Sequence, residues 1–177
     1  MLVRPAGNAS ANHLVPVIEL ITEVRAPILR VFDLSRSVDL HMVSTDQTHE
    51  RAIAGVTSGL MSLGQEVTWR ARHLGIWQHL TSRITKFNSP VHFRDSMVRG
   101  AFRRFDHDHF FEAQGEITVM RDVFDFESPL GILGRVADRL FLAAYMTRFL
   151  RKRSEFIKQV AESEQWRRYL REPAGGS

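Results

Sequence analysis

A chain of 177 residues that is 44% hydrophobic and 25% charged can bury a sizeable core within one domain, with the composition of an ordinary soluble protein. It contains no cysteine, which excludes disulfides, thiolate catalysis and cysteine-ligated zinc and fits a reducing compartment. The formal charge of +4 is concentrated in "RFLRKR" (Arg148 to Arg153) and "WRRYLR" (Trp166 to Arg171), which read as a solvated helix face. No nucleic-acid motif accompanies that charge, so nucleic acid is not an expected partner.

Residues 1–14 read as a flexible N-terminal arm rich in Ala, Asn and Gly, with Arg4 but no apolar core of signal-peptide length. From Val15 to Ala26, Val17, Glu19, Ile21 and Glu23 alternate with Ile18, Leu20, Thr22 and Val24, the period of a strand. Pro27 suits a first helical turn, and "ILRVFDL" puts Ile28, Val31 and Phe32 on one face of a short helix. A second helical turn is expected over Ser37 to Val43.

From about Glu50 to Glu127 the chain reads as about six successive strands. "EVTWRARH" carries Val67, Trp69, Ala71 and His73 on one face. In "IWQHLTSRI" (Ile76 to Ile84), Ile, Leu and Ile recur every fourth residue. A strand with Gln78 and Ser82 inward fits this spacing, and so does a helical stripe. After Pro90, "VHFRDSMVRG" aligns Val91, Phe93 and Met97 beside Asp95. The last element is expected to be one long amphipathic helix, capped by Ser128 and Pro129 and continuing past residue 160. Its stripe runs through Leu133, Val136, Leu140, Ala143, Thr147, Leu150 and Ile157, and Gly131 and Gly134 permit close approach to a sheet. The apolar stretch "LFLAAYM" (Leu140 to Met146) is too short to span a bilayer, and a cytoplasmic location is expected. Residues 166–177 read as a tail behind a single domain at 15–165.

The chemistry concentrates in "FDHDHFF" (Phe105 to Phe111). One face carries Phe105, His107, His109 and Phe111, and the other Asp106, Asp108 and Phe110. The more apolar face should point inward and take both histidines with it. With Gln114-Gly115 as a two-residue turn, His107 faces Asp122, Phe111 faces Thr118, His109 faces Met120 and Phe105 faces Phe124. One bulged residue at Gly100 would add Asp95 opposite His107. A metal reading of His107, His109 and Asp122 lacks a third convergent histidine and any HExxH-type motif, so no metal or other cofactor is expected. A His107–Asp122 pair could instead fix the sheet, serve as general base and orienter, or anchor the polar end of an apolar ligand.

The segment from Leu80 to Phe141 resembles the polyketide cyclase/dehydrase-like and lipid-transport branch of the START-like, or SRPBCC, superfamily. The features that carry the resemblance are "SRIT" followed by a proline, the "RGAF" turn, F-x-H-x-H-x-F, T-x-M-x-D-x-F, and "SPLGILG" before the long helix. Ala101 departs from the proline common in relatives. The resemblance implies an α+β helix-grip fold: a curved seven-stranded antiparallel sheet wrapped around a long C-terminal helix, with two short helices after the first strand. It also implies a cavity for a hydrophobic molecule, whether lipid-, quinone- or polyketide-like. The ligand-binding residues expected are Trp69, Gln78, Phe93, Asp95, Met97, Phe105, His107, His109, Phe111, Thr118, Met120, Asp122 and Phe124. The alternative is a cyclase or dehydratase using His107 and Asp122. A third expectation is transient contact of the basic C-terminal helix with anionic membrane.

Overall fold

Alternation of apolar and polar residues makes β1 (Val17–Val24), whose Ile18, Leu20 and Val24 are buried. The computed structural model describes residues 17–73, 75–127 and 141–170. The expected arm at 1–14, the Ser128–Pro129 cap, Gly131, Gly134, the stripe positions Leu133, Val136 and Leu140, and residues 171–177 lie outside them.

Pro27 stands at the N-cap of α1 (Ile28–Ser35), which buries Val31, Phe32 and Leu34. The Ser37 hydroxyl then accepts from the Leu40 N–H at 3.3 Å and caps α2 (Val38–Ser44). Six strands follow: β2 (Arg51–Gly55), β3 (Glu66–His73), β4 (Ile76–Asn88), β5 (His92–Arg99), β6 (Arg104–Gln114) and β7 (Ile117–Glu127). The open choice at Ile76 to Ile84 resolves as strand, because that segment pairs along its length with β3. The sheet order is β1-β7-β6-β5-β4-β3-β2, every pair antiparallel, so the first strand lies beside the last.

The long helix α3 (Ala143–Ala161) buries Met146, Leu150, Arg153, Ser154, Ile157, Val160 and Ala161. These positions keep the three- and four-residue steps of an apolar stripe. The buried line is rotated from the expected one: Ala143 and Thr147 are half-buried on its flank, and Met146 takes the core position. Arg153 corrects a second expectation, since it belongs to the basic run yet is only 6% exposed. Beyond α3, Ser163 caps a 3₁₀ turn over Glu164–Arg168. Trp166, Tyr169 and Leu170, expected in the tail, pack half-buried against the core, with the Arg30 guanidinium 4.4 Å from the Trp166 ring.

Pairing of β6 with β7 differs from expectation by two residues. The turn is Gly115-Glu116, not Gln114-Gly115, so His109 faces Asp122, His107 faces Phe124, Phe111 faces Met120 and Phe105 faces Phe126. Gly115 has φ 64°, and the first central position of a two-residue hairpin turn of this kind needs a residue that adopts positive φ cheaply. A shift of two preserves parity, so both inward faces stand as expected. Between β5 and β6, Asp95 does face His107, but through the loop at residues 100–103 and not through a single bulge.

Two apolar clusters fill the interior. The larger joins α1, α2 and the end of α3 to the sheet around Phe32, whose ring meets Phe87, Phe93 and Phe111 edge-on at 5.4–5.5 Å. The smaller joins Met146 and Leu150 of α3 to Ile18, Leu20, Phe105, Phe124 and Phe126. Phe32→Ala would leave a cavity among three aromatic rings, and chemical denaturation should show a loss of about 3–5 kcal/mol.

Candidate functional site

The seam between the two clusters is polar. There His109 stacks on Phe93 of the larger cluster with ring centroids 4.3 Å apart, and His107 meets Phe124 of the smaller edge-on at 5.3 Å. The two histidine rings lie 3.9 Å apart. Asp122, 2% exposed, reaches both: its Oδ1 is 2.6 Å from His109 Nδ1 and 3.4 Å from His107 Nε2. The Ser154 hydroxyl of α3 donates to Asp122 Oδ2 at 3.1 Å, and Asp95 Oδ1 lies 3.2 Å from His109 Nε2.

This wiring favours one protonation pattern. Ionised carboxylates only accept, so a histidine held at both nitrogens by carboxylates is favoured in its doubly protonated form, as His109 is here. Burial opposes that charge, but the hydrogen bonds and charges of Asp122 and Asp95 outweigh it and raise the His109 pKa above the ordinary histidine value. His107 goes the other way: burial and the charge of His109 push its pKa down despite both carboxylates, so it stays neutral. Burial likewise opposes ionisation of Asp122, yet the two histidines hold its pKa well below the ordinary 3.8. With the Arg153 guanidinium close enough to stabilise Asp95, two negative charges meet two positive ones.

The expected His107–Asp122 pair is therefore replaced by His109–Asp122, a consequence of the two-residue shift in register. Asp95, His107 and His109 each offer a donor atom within 4.8 Å of the others, a spacing that could hold a cation. A metal would first have to displace the His109 Nε2 proton, and the cluster is already balanced without one.

These groups form part of the wall of a cavity of about 370 Å³, within the range of small-molecule sites. Of the expected ligand contacts, Trp69, Gln78, Phe93 and Asp95 line it, as do Phe105, His107, His109 and Phe124. Five others do not. Phe111 and Met120 are packed in the core. The Thr118 hydroxyl donates to the Ala26 carbonyl at 2.7 Å, and Asp122 sits behind the histidines. Met97 packs against the smaller cluster.

Residues not expected at the wall include His41, Glu50, His73, Phe102, Tyr145 and Arg153. Arg153 was legible only as part of a basic run. A helical count from Leu150 and Ile157 puts it beside the buried stripe, the one available signal. It donates from Nη2 to the Ser35 carbonyl at 2.8 Å. On the outer face, Asp106 and Asp108 point away from the cavity as expected, but Asp108 is covered by Arg94, at 2.8 and 2.6 Å, and by His92 at 2.7 Å.

No family model matches the sequence, and no curated protein matches it significantly. Solved structures do match. The TTHA0849 protein of Thermus thermophilus superposes with a TM-score of 0.65 at 16% identity, over 84% of this chain and 100% of its own. Major latex-like protein 151 of Panax ginseng gives 0.63 at 13% identity, over 85% and 100%. A START superfamily protein of Mycobacterium smegmatis gives 0.62 at 12% identity, over 81% and 98%. The chain thus has the START-like helix-grip fold: a seven-stranded antiparallel sheet, a long C-terminal helix, and two short helices after the first strand. Among the described residues, no helix is long and apolar enough to cross a membrane.

Asp122→Asn keeps shape but leaves Asp95 as the one carboxylate on buried His109, so it should cost about 3 kcal/mol at neutral pH. The native Asp122 pKa is depressed, so its stabilisation is complete above the ordinary 3.8 and disappears as pH falls through the lower native value. Urea unfolding at a series of pH values should show the gap between wild type and variant closing in acid.

Proposed function

We propose that the cavity binds a hydrophobic small molecule and that the chain is a cytoplasmic carrier or receptor for it, its ligand lipid-, quinone- or polyketide-like. One observation carries this reading. The wall is mainly apolar, yet it includes a few polar side chains, His107, Asp95 and Arg153 among them. A ligand bearing one polar group among apolar ones matches such a lining. His107 and Arg153 then orient the polar end, while Trp69, Phe93, Phe105 and Phe124 contact the rest. Native mass spectrometry of protein from its own host should reveal a bound apolar molecule, and a fluorescent lipid should be displaceable from the cavity. Absence of both would refute the proposal.

A second reading, an enzyme of the cyclase or dehydratase type, is favoured by the protonation pattern. A neutral His107 beside an imidazolium and an ionised aspartate is a poised acid/base in a water-poor wall. Turnover of a polyketide-like substrate that His107→Ala abolishes, with binding retained, would select the enzyme. Binding without turnover in the wild type would select the carrier.

A further inference from the structure

A second polar pair faces the same cavity from another part of the sheet. His41 of α2 stacks on Trp69 of β3, with ring centroids 4.3 Å apart. Its Nε2 lies 3.2 Å from Oε2 of Glu50, the residue preceding β2. Neither atom makes a hydrogen bond, although both are buried and both residues line the cavity. His73 and Tyr145 flank them on the wall, joined to each other by a 2.8 Å hydrogen bond. β3 stands three strand spacings from β6, about 14 Å along the sheet from the His107–His109 cluster.

Glu50 is 5% exposed. Burial opposes its ionisation, but His41 first, then His73 and Thr45, outweigh burial and keep its pKa below the ordinary glutamate value. A buried carboxylate oxygen without a donor is costly, and a histidine nitrogen without a partner adds to that cost. One hydroxyl resolves both, donating its hydrogen to Glu50 Oε2 while its oxygen accepts from the Nε2–H tautomer of His41. A purely apolar ligand end would leave both unmet.

We propose that His41 and Glu50 form a second subsite, specific for a hydroxyl or phenol, so that the ligand is elongated, apolar in the middle and polar at both ends. This rests on the reading of the cavity as a ligand site. His107 and Arg153 take one end, and Glu50 with His41 takes the other.

The test compares two fluorescent probes, a stilbene with a phenol at each end and its single-phenol counterpart. Wild-type protein should bind the two-phenol probe at least about tenfold more tightly, the worth of a hydrogen bond to a buried charge. The double variant His41→Phe, Glu50→Leu leaves no unpaired polar group at this end, so it should fold, and its affinities for the two probes should approach parity. Equal binding of both probes by wild type, or an advantage that survives in the double variant, would overturn the second subsite and leave the cavity reading intact. Failure of both probes to bind wild type would overturn the cavity reading and this inference together. If the double variant does not fold, Glu50→Gln decides: it keeps shape but loses charge, and should shrink the two-phenol advantage several-fold.

Discussion

A carboxylate with almost no access to water must be met by donors on every side, and Asp122 draws those donors from two separate parts of the fold. His109 and His107 approach from the neighbouring strand, and Ser154 approaches from the helix. Asp95, one strand further on, holds the far side of His109. The requirement for charge balance thus ties three adjacent strands to α3 at one point. The apolar clusters on either side determine that helix and sheet come together, while Asp122 determines how they are aligned. Of the two imidazoles, His107 is the more loosely held, its Nε2 standing 3.4 Å from Asp122 Oδ1 without forming a hydrogen bond.

Alternation along β6 serves two purposes at once. Inward residues supply the imidazoles, while outward ones build a ladder in which Arg94 forks onto Asp108 and Arg104 reaches Asp125. Arg121 lies over the Phe110 ring, which itself stacks on His92. The back of the cavity wall is therefore clamped by charged pairs that water screens only in part. A wall braced from behind can hold two histidine rings at a fixed spacing without relying on whatever occupies the cavity.

Much of the architecture was legible because it depends on period and parity. Alternation identified the inward faces of β3, β6 and β7, and three- and four-residue steps identified the long helix. Those signals are insensitive to a slip of two residues, which is why the histidines were placed inward yet His109's partner was misassigned. Turn identity decides that slip, and Gln114-Gly115 and Gly115-Glu116 differ only in where the glycine stands. The polar residues His41, Glu50 and Arg153 were not legible as wall residues for a different reason. His41 is a lone imidazole in a mostly apolar short helix, Glu50 stands in the polar link before β2 and Arg153 in a basic run, and tertiary packing alone brings the three to one cavity. Met97, Phe111, Thr118 and Met120 illustrate the converse: an inward face shows what is buried, without separating cavity wall from packed core.

The hairpin at Gly115 separates shape from chemistry. Lengthening or shortening it by one residue would turn a whole strand face over and destroy the fold, so selection must reject such changes. Moving the turn back by one residue, to Gln114-Gly115, instead slides β6 past β7 by two residues, like a ratchet by one notch. The same side chains stay inside, but His109 exchanges Asp122 for Met120 and His107 acquires the aspartate. The aspartate would change its imidazole partner while the inward faces stayed the same. A lineage carrying this hairpin thus has a discrete route to a new proton inventory at constant shape, through the turn and without any substitution at the wall.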